Sequence, residues 1–408
     1  MSKKTILIIC LVIFFIIVFS TENLYREKLY KLSLEYIKNI EQKGFFHYFY
    51  FFWSMIFLFC MMVVGMTFPL LTFPINTGFT YISIQIILTF IMCLLKSLYS
   101  QERPYWDIYL EYKNQTAVPD PTECDAEFGN PSGHSLLSSY LLCLWDLFLC
   151  TNFFNKMKGI KKNIIKYFTL FLSIISIIFI CYSRVNRQIH SFNQIIFGGI
   201  LGVGVYFTLF HVLNLNRINT DDFIRYLDKA KFIFIPVCLL LFGISLTLGL
   251  TVHNDKEELY EEILEKFCKY VPNQMFGKNT AFYSSLIFIV IGGYIGILFL
   301  KYNIQKNYPN KSYFFYNWNQ GSKFTTFKIT IFSFTLPTIL PALANSLVPF
   351  DYYVLKLVLH SFVYFIFGFL SYGPLFYYSC VHFKKKELCQ ENNPLIVNED
   401  ENIENNDD

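Results

Sequence analysis

Ser183–Phe210 reads SRVNRQIHSFNQIIFGGILGVGVYFTLF, and its two halves differ in kind. The first eight residues are mostly polar and end on His190, whereas no charged residue interrupts the run from Phe192 to Phe210. A helix needs about 20 apolar residues to cross a bilayer. The segment therefore predicts a membrane helix with reactive side chains at its mouth. Two other stretches repeat the arrangement: Lys96–Pro104, KSLYSQERP, follows an apolar run, and Pro131–His134, PSGH, precedes one.

Together the three stretches bring Lys96, Arg103, Ser132, Gly133, His134, Arg184 and His190 to membrane boundaries. That inventory suits a phosphate site. Guanidinium and ammonium groups neutralise a phosphoryl dianion, and the N–H groups of a Ser-Gly turn opening a helix add donors. Two imidazoles supply a nucleophile and an acid/base at neutral pH. Lys96 and Arg103 are seven residues apart, so one continuous helix would set them on a common face, and Gln194 falls one turn after His190.

Composition sets the frame around these motifs. The chain has 408 residues, 54% hydrophobic, 20% aromatic and 16% charged, with mean hydropathy +0.39. Ordinary soluble domains carry about 25% charged residues. The expected fold is thus all-α, a polytopic transmembrane bundle with about nine spans near 47–70, 78–99, 134–152, 165–182, 194–213, 232–251, 280–300, 326–347 and 354–380. Lys156, Lys158, Lys161 and Lys162 share one loop, Arg217, Arg225, Lys229 and Lys231 another, Lys301, Lys306, Lys311 and Lys323 a third, and Lys384–Lys386 follow the last span. Because cytosolic loops are the basic ones, this puts the three motifs on the lumenal or extracellular side and the C-terminus in the cytosol. The small net charge of +4 is sorted by side of the membrane, so it implies no nucleic-acid partner.

The pattern K-x6-R-P, P-S-G-H, S-R-x5-H resembles the type 2 phosphatidic acid phosphatase superfamily, which also holds the glucose-6-phosphatases and the vanadium haloperoxidases. The resemblance implies that His190 attacks phosphorus to form a phosphohistidine and that His134 protonates the leaving group and then activates water. It also implies that Lys96, Arg103, Ser132, Gly133 and Arg184 hold the phosphoryl oxygens, with no metal and no cofactor. The usual pattern ends H-x3-D, whereas this chain has Gln194 there. Gln at that place, the stretch RPYW (Arg103–Trp106) and the run NQTAVP are similar to glucose-6-phosphatase. The superfamily resemblance favours a lipid phosphate such as phosphatidate, reached from the membrane lipids. A sugar phosphate and a catalytically silent phospholipid-binding relative stay open beside it.

In chain order, residues 1–20 read as a signal peptide or anchor, 21–45 as an amphipathic interfacial helix or one packed on the bundle, and 46–215 as a phosphatase core. Additional spans fill 216–383 and a disordered cytosolic tail 384–408, in a membrane of the endoplasmic reticulum or elsewhere in the secretory system. Pro337 and Pro341 should kink the eighth span, and Lys356 near the outer end of the last should snorkel to headgroups. The eleven Cys show no metal spacing. Cys124 and Cys268 alone fall in expected non-cytosolic loops, where a disulfide between them would persist. Asn114, in the sequon Asn114-Gln115-Thr116, lies on the same side, whereas Asn310 lies in an expected cytosolic loop. A glycan shift should therefore disappear in Asn114→Gln and persist in Asn310→Gln; the reverse would invert the topology.

Overall fold

A computed structural model of the chain describes residues 3–39, 48–50, 52–53, 75–111, 127–152, 159–212, 229–230, 232–251, 256, 258–262, 282–308, 315, 323–341, 343 and 352–384. Every regular element among them is helical. They are α1 (Lys3–Lys38), α2 (Ile75–Tyr99), α3 (Pro104–Glu111), α4 (Gly133–Asn152), α5 (Ile160–Asn186), α6 (Phe192–Phe207), α7 (Phe234–Thr251), α8 (Ile287–Asn307), α9 (Lys323–Thr330), α10 (Tyr353–Tyr372) and α11 (Pro374–Phe383). Seven stretches among the described residues are long and apolar enough to cross a membrane.

Burial sorts these helices into centre and periphery. The apolar window containing α2 is 72% buried, whereas those of α5 and α7 are each 17% buried. Exposed Ile164, Tyr167, Phe168 and Phe171 on α5, and Leu239 and Leu240 on α7, are the outward faces that hydrocarbon would cover. On one side of α2, Tyr81, Leu88 and Leu95 pack with Leu136, Tyr140, Phe197, Leu201 and Val18 of α4, α6 and α1. On the other side, Phe79, Ile82 and Ile86 pack with Val290, Tyr294 and Ile297 of α8 and with Tyr372 of α10.

Small residues set the closest approaches, as expected where lipid provides no hydrophobic drive between helices. A Cβ on Gly198 would come 2.6 Å from the Ser132 carbonyl oxygen, and one on Gly202 closer still to that of Leu136. The glycine face of α6 therefore lies directly on the backbone of α4. Gly292 and Gly368 do the same for α8 and α10, the most extensive helix pair among the described residues.

Several expectations are met or corrected here. Residues 3–38 form one continuous helix, α1, packed on α6, α3 and α5, which agrees with the packed alternative for the helix after residue 20. Phe15, Val18 and Phe19 join the core around Phe197, and that burial holds the N-terminal half in the bundle. The helix carrying Lys96 ends at Tyr99 rather than continuing through Arg103. Ser100 has φ 43°, and Arg103 precedes a proline, which disfavours helical backbone. Lys356 is buried, with Nζ 5.7 Å from the Phe282 ring centre, instead of extending to headgroups. The eighth span is interrupted: α9 passes into a π turn at Ile331–Thr335 and a 3-10 turn at Leu336–Thr338, where Pro337 cannot donate to the helical ladder. The expected span at 47–70 falls largely outside the described residues.

Gly202→Ala should lower stability by about 1–3 kcal/mol through overpacking against α4, read as a lower unfolding midpoint in detergent. An unchanged midpoint would contradict the α4–α6 contact.

Candidate functional site

The motifs meet where α2, α4 and α5 end or begin, and each is fixed by local backbone geometry. After α5 the chain turns through a Schellman motif: Ile189 N–H bonds the Arg184 carbonyl at 3.1 Å and Gln188 N–H bonds that of Val185 at 2.9 Å. Gln188 takes the left-handed position with φ 64°, a conformation that costs a non-glycine residue roughly 1–2 kcal/mol. His190 N–H also reaches the Arg184 carbonyl, at 3.2 Å. The turn therefore holds Arg184 and His190 side by side although five residues separate them in sequence.

Before α4, Gly129 N–H bonds the Gln101 carbonyl at 2.8 Å, the Asn130–Pro131 peptide is cis, and Ser132 N–H bonds the Gln194 carbonyl at 3.0 Å. Ser132 caps the helix, its Oγ accepting Ser135 N–H at 3.5 Å and Ser135 Oγ–H at 3.2 Å. The first N–H groups of a helix have no partner within it, so those of Gly133 and His134 are available as donors for an anion.

The cations converge on this turn. Lys96 is buried and ion-pairs with Glu127. Arg103 Nε donates to the Glu127 carbonyl at 2.6 Å and Nη1 to the Ile189 carbonyl at 3.5 Å. Arg184 is fully buried. His190 lies within electrostatic range of Arg103, Arg184, Lys96 and His134, and His134 within range of the same three cations and of Arg187. His134 Nε2 is buried with no hydrogen-bond partner among the described residues.

Gln194 determines which nitrogen of His190 carries the proton. Its Oε1 accepts the Ser191 N–H at 3.2 Å, and its Nε2 donates to the Glu102 carbonyl at 2.8 Å. Neither bond forms with the amide flipped, so the oxygen faces His190 Nδ1 at 3.1 Å. Nδ1 must then be the protonated nitrogen, which leaves Nε2 with its lone pair on the opposite edge of the ring. Gly129 makes room for this: a Cβ there would lie 2.5 Å from the Gln194 amide.

Several contributors carried no sequence signal of their own. Glu127 and Arg187 are charged residues without motif spacing, and only packing brings them to the cradle. Lys256 Nζ lies 3.6 Å from Asp107 and 4.0 Å from Glu102, while the Tyr260 ring covers buried Trp106 at 4.8 Å. The segment holding Lys256 and Tyr260 thus docks on α3. Asn114, Cys124 and Cys268 lie outside the described residues. No three of His, Cys, Asp and Glu converge as a metal set among the described residues. The arrangement instead presents cations and turn N–H groups around a neutral imidazole, which suits a tetrahedral dianion.

Burial, followed by the charges of Arg103, Arg184 and Lys96, holds the His190 pKa well below the ordinary imidazole value. The charged form is the one disfavoured, so His190 stays neutral to lower pH than a free imidazole. Its reaction with diethyl pyrocarbonate, which consumes neutral imidazole, should have a half-point below about pH 6.5. A half-point at or above that value would contradict the buried cationic setting.

Comparison with known proteins agrees with the geometry. Residues 77–218 match the PAP2 superfamily, a span that contains all three motifs. The chain is similar to glucose-6-phosphatase 2 of Mus musculus, 26% identical over 187 residues that cover 42% of this chain and 51% of that protein. It is also similar to glucose-6-phosphatase 2 of Homo sapiens, 27% identical over 213 residues that cover 49% and 57%. The match therefore spans little more than half the length of these relatives. No solved structure matches the chain. All three complete motifs thus lie inside the segment that matches the PAP2 superfamily, in a chain that is similar over part of its length to glucose-6-phosphatase 2.

Proposed function

We propose that the protein is an integral-membrane phosphatase that hydrolyses a phosphomonoester through a phosphohistidine on His190. The observation that carries this reading is the Gln194 amide bonded to His190 Nδ1, because it leaves Nε2 unprotonated beside Lys96, Arg103 and Arg184. Nε2 attacks phosphorus, and the phosphorus–oxygen bond to the leaving group breaks as His134 delivers its proton to the departing oxygen. His134 then takes a proton from water, which attacks the phosphohistidine, releases inorganic phosphate and returns His190 to its starting state. Charge on the phosphoryl oxygens is met throughout by the three cations and the Ser132-Gly133 turn. Because these groups do the electrostatic work, turnover needs no metal.

For substrate, the likeness to two glucose-6-phosphatases favours a sugar phosphate arriving from water. The motifs alone favour a lipid phosphate, and the exposed apolar faces of α5 and α7, which hydrocarbon would cover, support that second reading. The basic loops support a lumenal or extracellular site with a cytosolic C-terminus, in a secretory-pathway membrane.

Purified protein should release phosphate from glucose 6-phosphate faster than from phosphatidate, with chelators without effect and orthovanadate inhibitory. The opposite preference would move the assignment to a lipid phosphatase. His190→Ala should abolish phosphate release, and activity close to the parent would overturn the mechanism. Gln194→Leu, which leaves the tautomer unset, should lower kcat by about 10²–10⁴-fold with KM little changed.

A further inference from the structure

Helix α1 touches all three motif segments with one face. Glu22, Arg26, Tyr30, Ser33 and Ile37 recur at steps of four, four, three and four, and so lie on a single stripe. The Glu22 carboxylate, fully buried, accepts Asn130 Nδ2–H at 2.8 Å, just before the PSGH turn. Arg26 donates to the same carboxylate from Nε at 2.7 Å and lies 4.7 Å over the Tyr99 ring, at the end of the helix that carries Lys96. Tyr30 OH donates to Asp107 at 2.8 Å, one turn beyond Arg103. Ser33 Oγ accepts the Phe192 N–H at 2.8 Å, capping the helix that follows His190. Ile37 packs on Ile108, Val185 and Ile195, again joining α3, α5 and α6.

We propose that α1 is a built-in clasp of the catalytic unit and that Glu22 is its positioning residue, holding the phosphate-binding turn through Asn130. The chemistry of the contact supports a positioning role. Asn130 is wholly buried, sits two residues before Ser132, and its side-chain amide bonds Glu22 alone among the described residues. Deleting one partner of a buried hydrogen bond to a charged group leaves the other unsatisfied, and here the released group is the backbone that aims the Gly133 and His134 N–H groups. Glu22 touches no substrate atom in this scheme; it acts through Asn130. The clasp rests on the phosphate-site reading above.

The test uses the full-length protein in detergent, with orthovanadate as the probe and its Kd read by calorimetry. Asn130→Asp sets two carboxylates face to face and should weaken orthovanadate binding by about tenfold or more. Combining it with Glu22→Gln reverses donor and acceptor across the same contact, and the double variant should recover most of the lost affinity. A role in stability alone would lower the unfolding midpoint of Asn130→Asp while leaving Kd per folded molecule unchanged, and that result overturns the clasp. So does a double variant that binds no better than Asn130→Asp. A parent protein that binds no orthovanadate would instead overturn the phosphate-site reading itself and the clasp with it.

Discussion

The side-chain amide of Gln194 is the constraint on which the rest of the site depends. Its oxygen bonds His190 and the Ser191 N–H, its nitrogen bonds the Glu102 carbonyl, and its own backbone carbonyl receives the Ser132 N–H. One residue therefore ties together the Arg103 segment, the phosphate turn and the His190 turn. An amide suits this task because it offers a donor and an acceptor in a fixed plane. A carboxylate has no donor for the Glu102 carbonyl and would leave it without its partner.

Burying that polar junction requires close backbones, which a membrane bundle obtains with small residues. The glycines of α6 lie on the backbone of α4, so Ser132 and Gln194 come within a backbone hydrogen bond of each other. Gly129 leaves space for the Gln194 amide on the opposite side. Packing and chemistry are thus coupled: the contact that holds α4 on α6 also places the turn donors beside His190. Helices α8 and α10 pack across α2 through Phe79, Tyr294 and Tyr372 and brace that central helix.

The electrostatics follow from the same burial. Lys96, Arg103, Arg184 and Arg187 are all nearly inaccessible, and such charges are tolerated only where carboxylates, carbonyls or a ligand compensate them. Glu127 takes Lys96 with its carboxylate and Arg103 with its carbonyl, so one residue orients two cations of the cradle. Burial, with the concentrated positive charge behind it, disfavours the charged form of His190.

Membrane helices and motif residues were legible from the chain alone because length, hydropathy and residue type are local properties. Lys96, Arg103, His134, Arg184 and His190 could be singled out by spacing before any of their contacts were known. What only the tertiary structure decided was partnership. Glu22 meets Asn130 across 108 residues and Ser33 meets the Phe192 N–H across 159, separations that no periodicity encodes. The choice between an interfacial helix and one packed on the bundle was open for the same reason, since apolar content does not tell whether a helix faces lipid or a polar site. The break between Lys96 and Arg103 has a local contribution, Pro104 after Arg103, but its geometry is set by tertiary bonds, Gly129 N–H to the Gln101 carbonyl and Tyr105 N–H to that of Gln188.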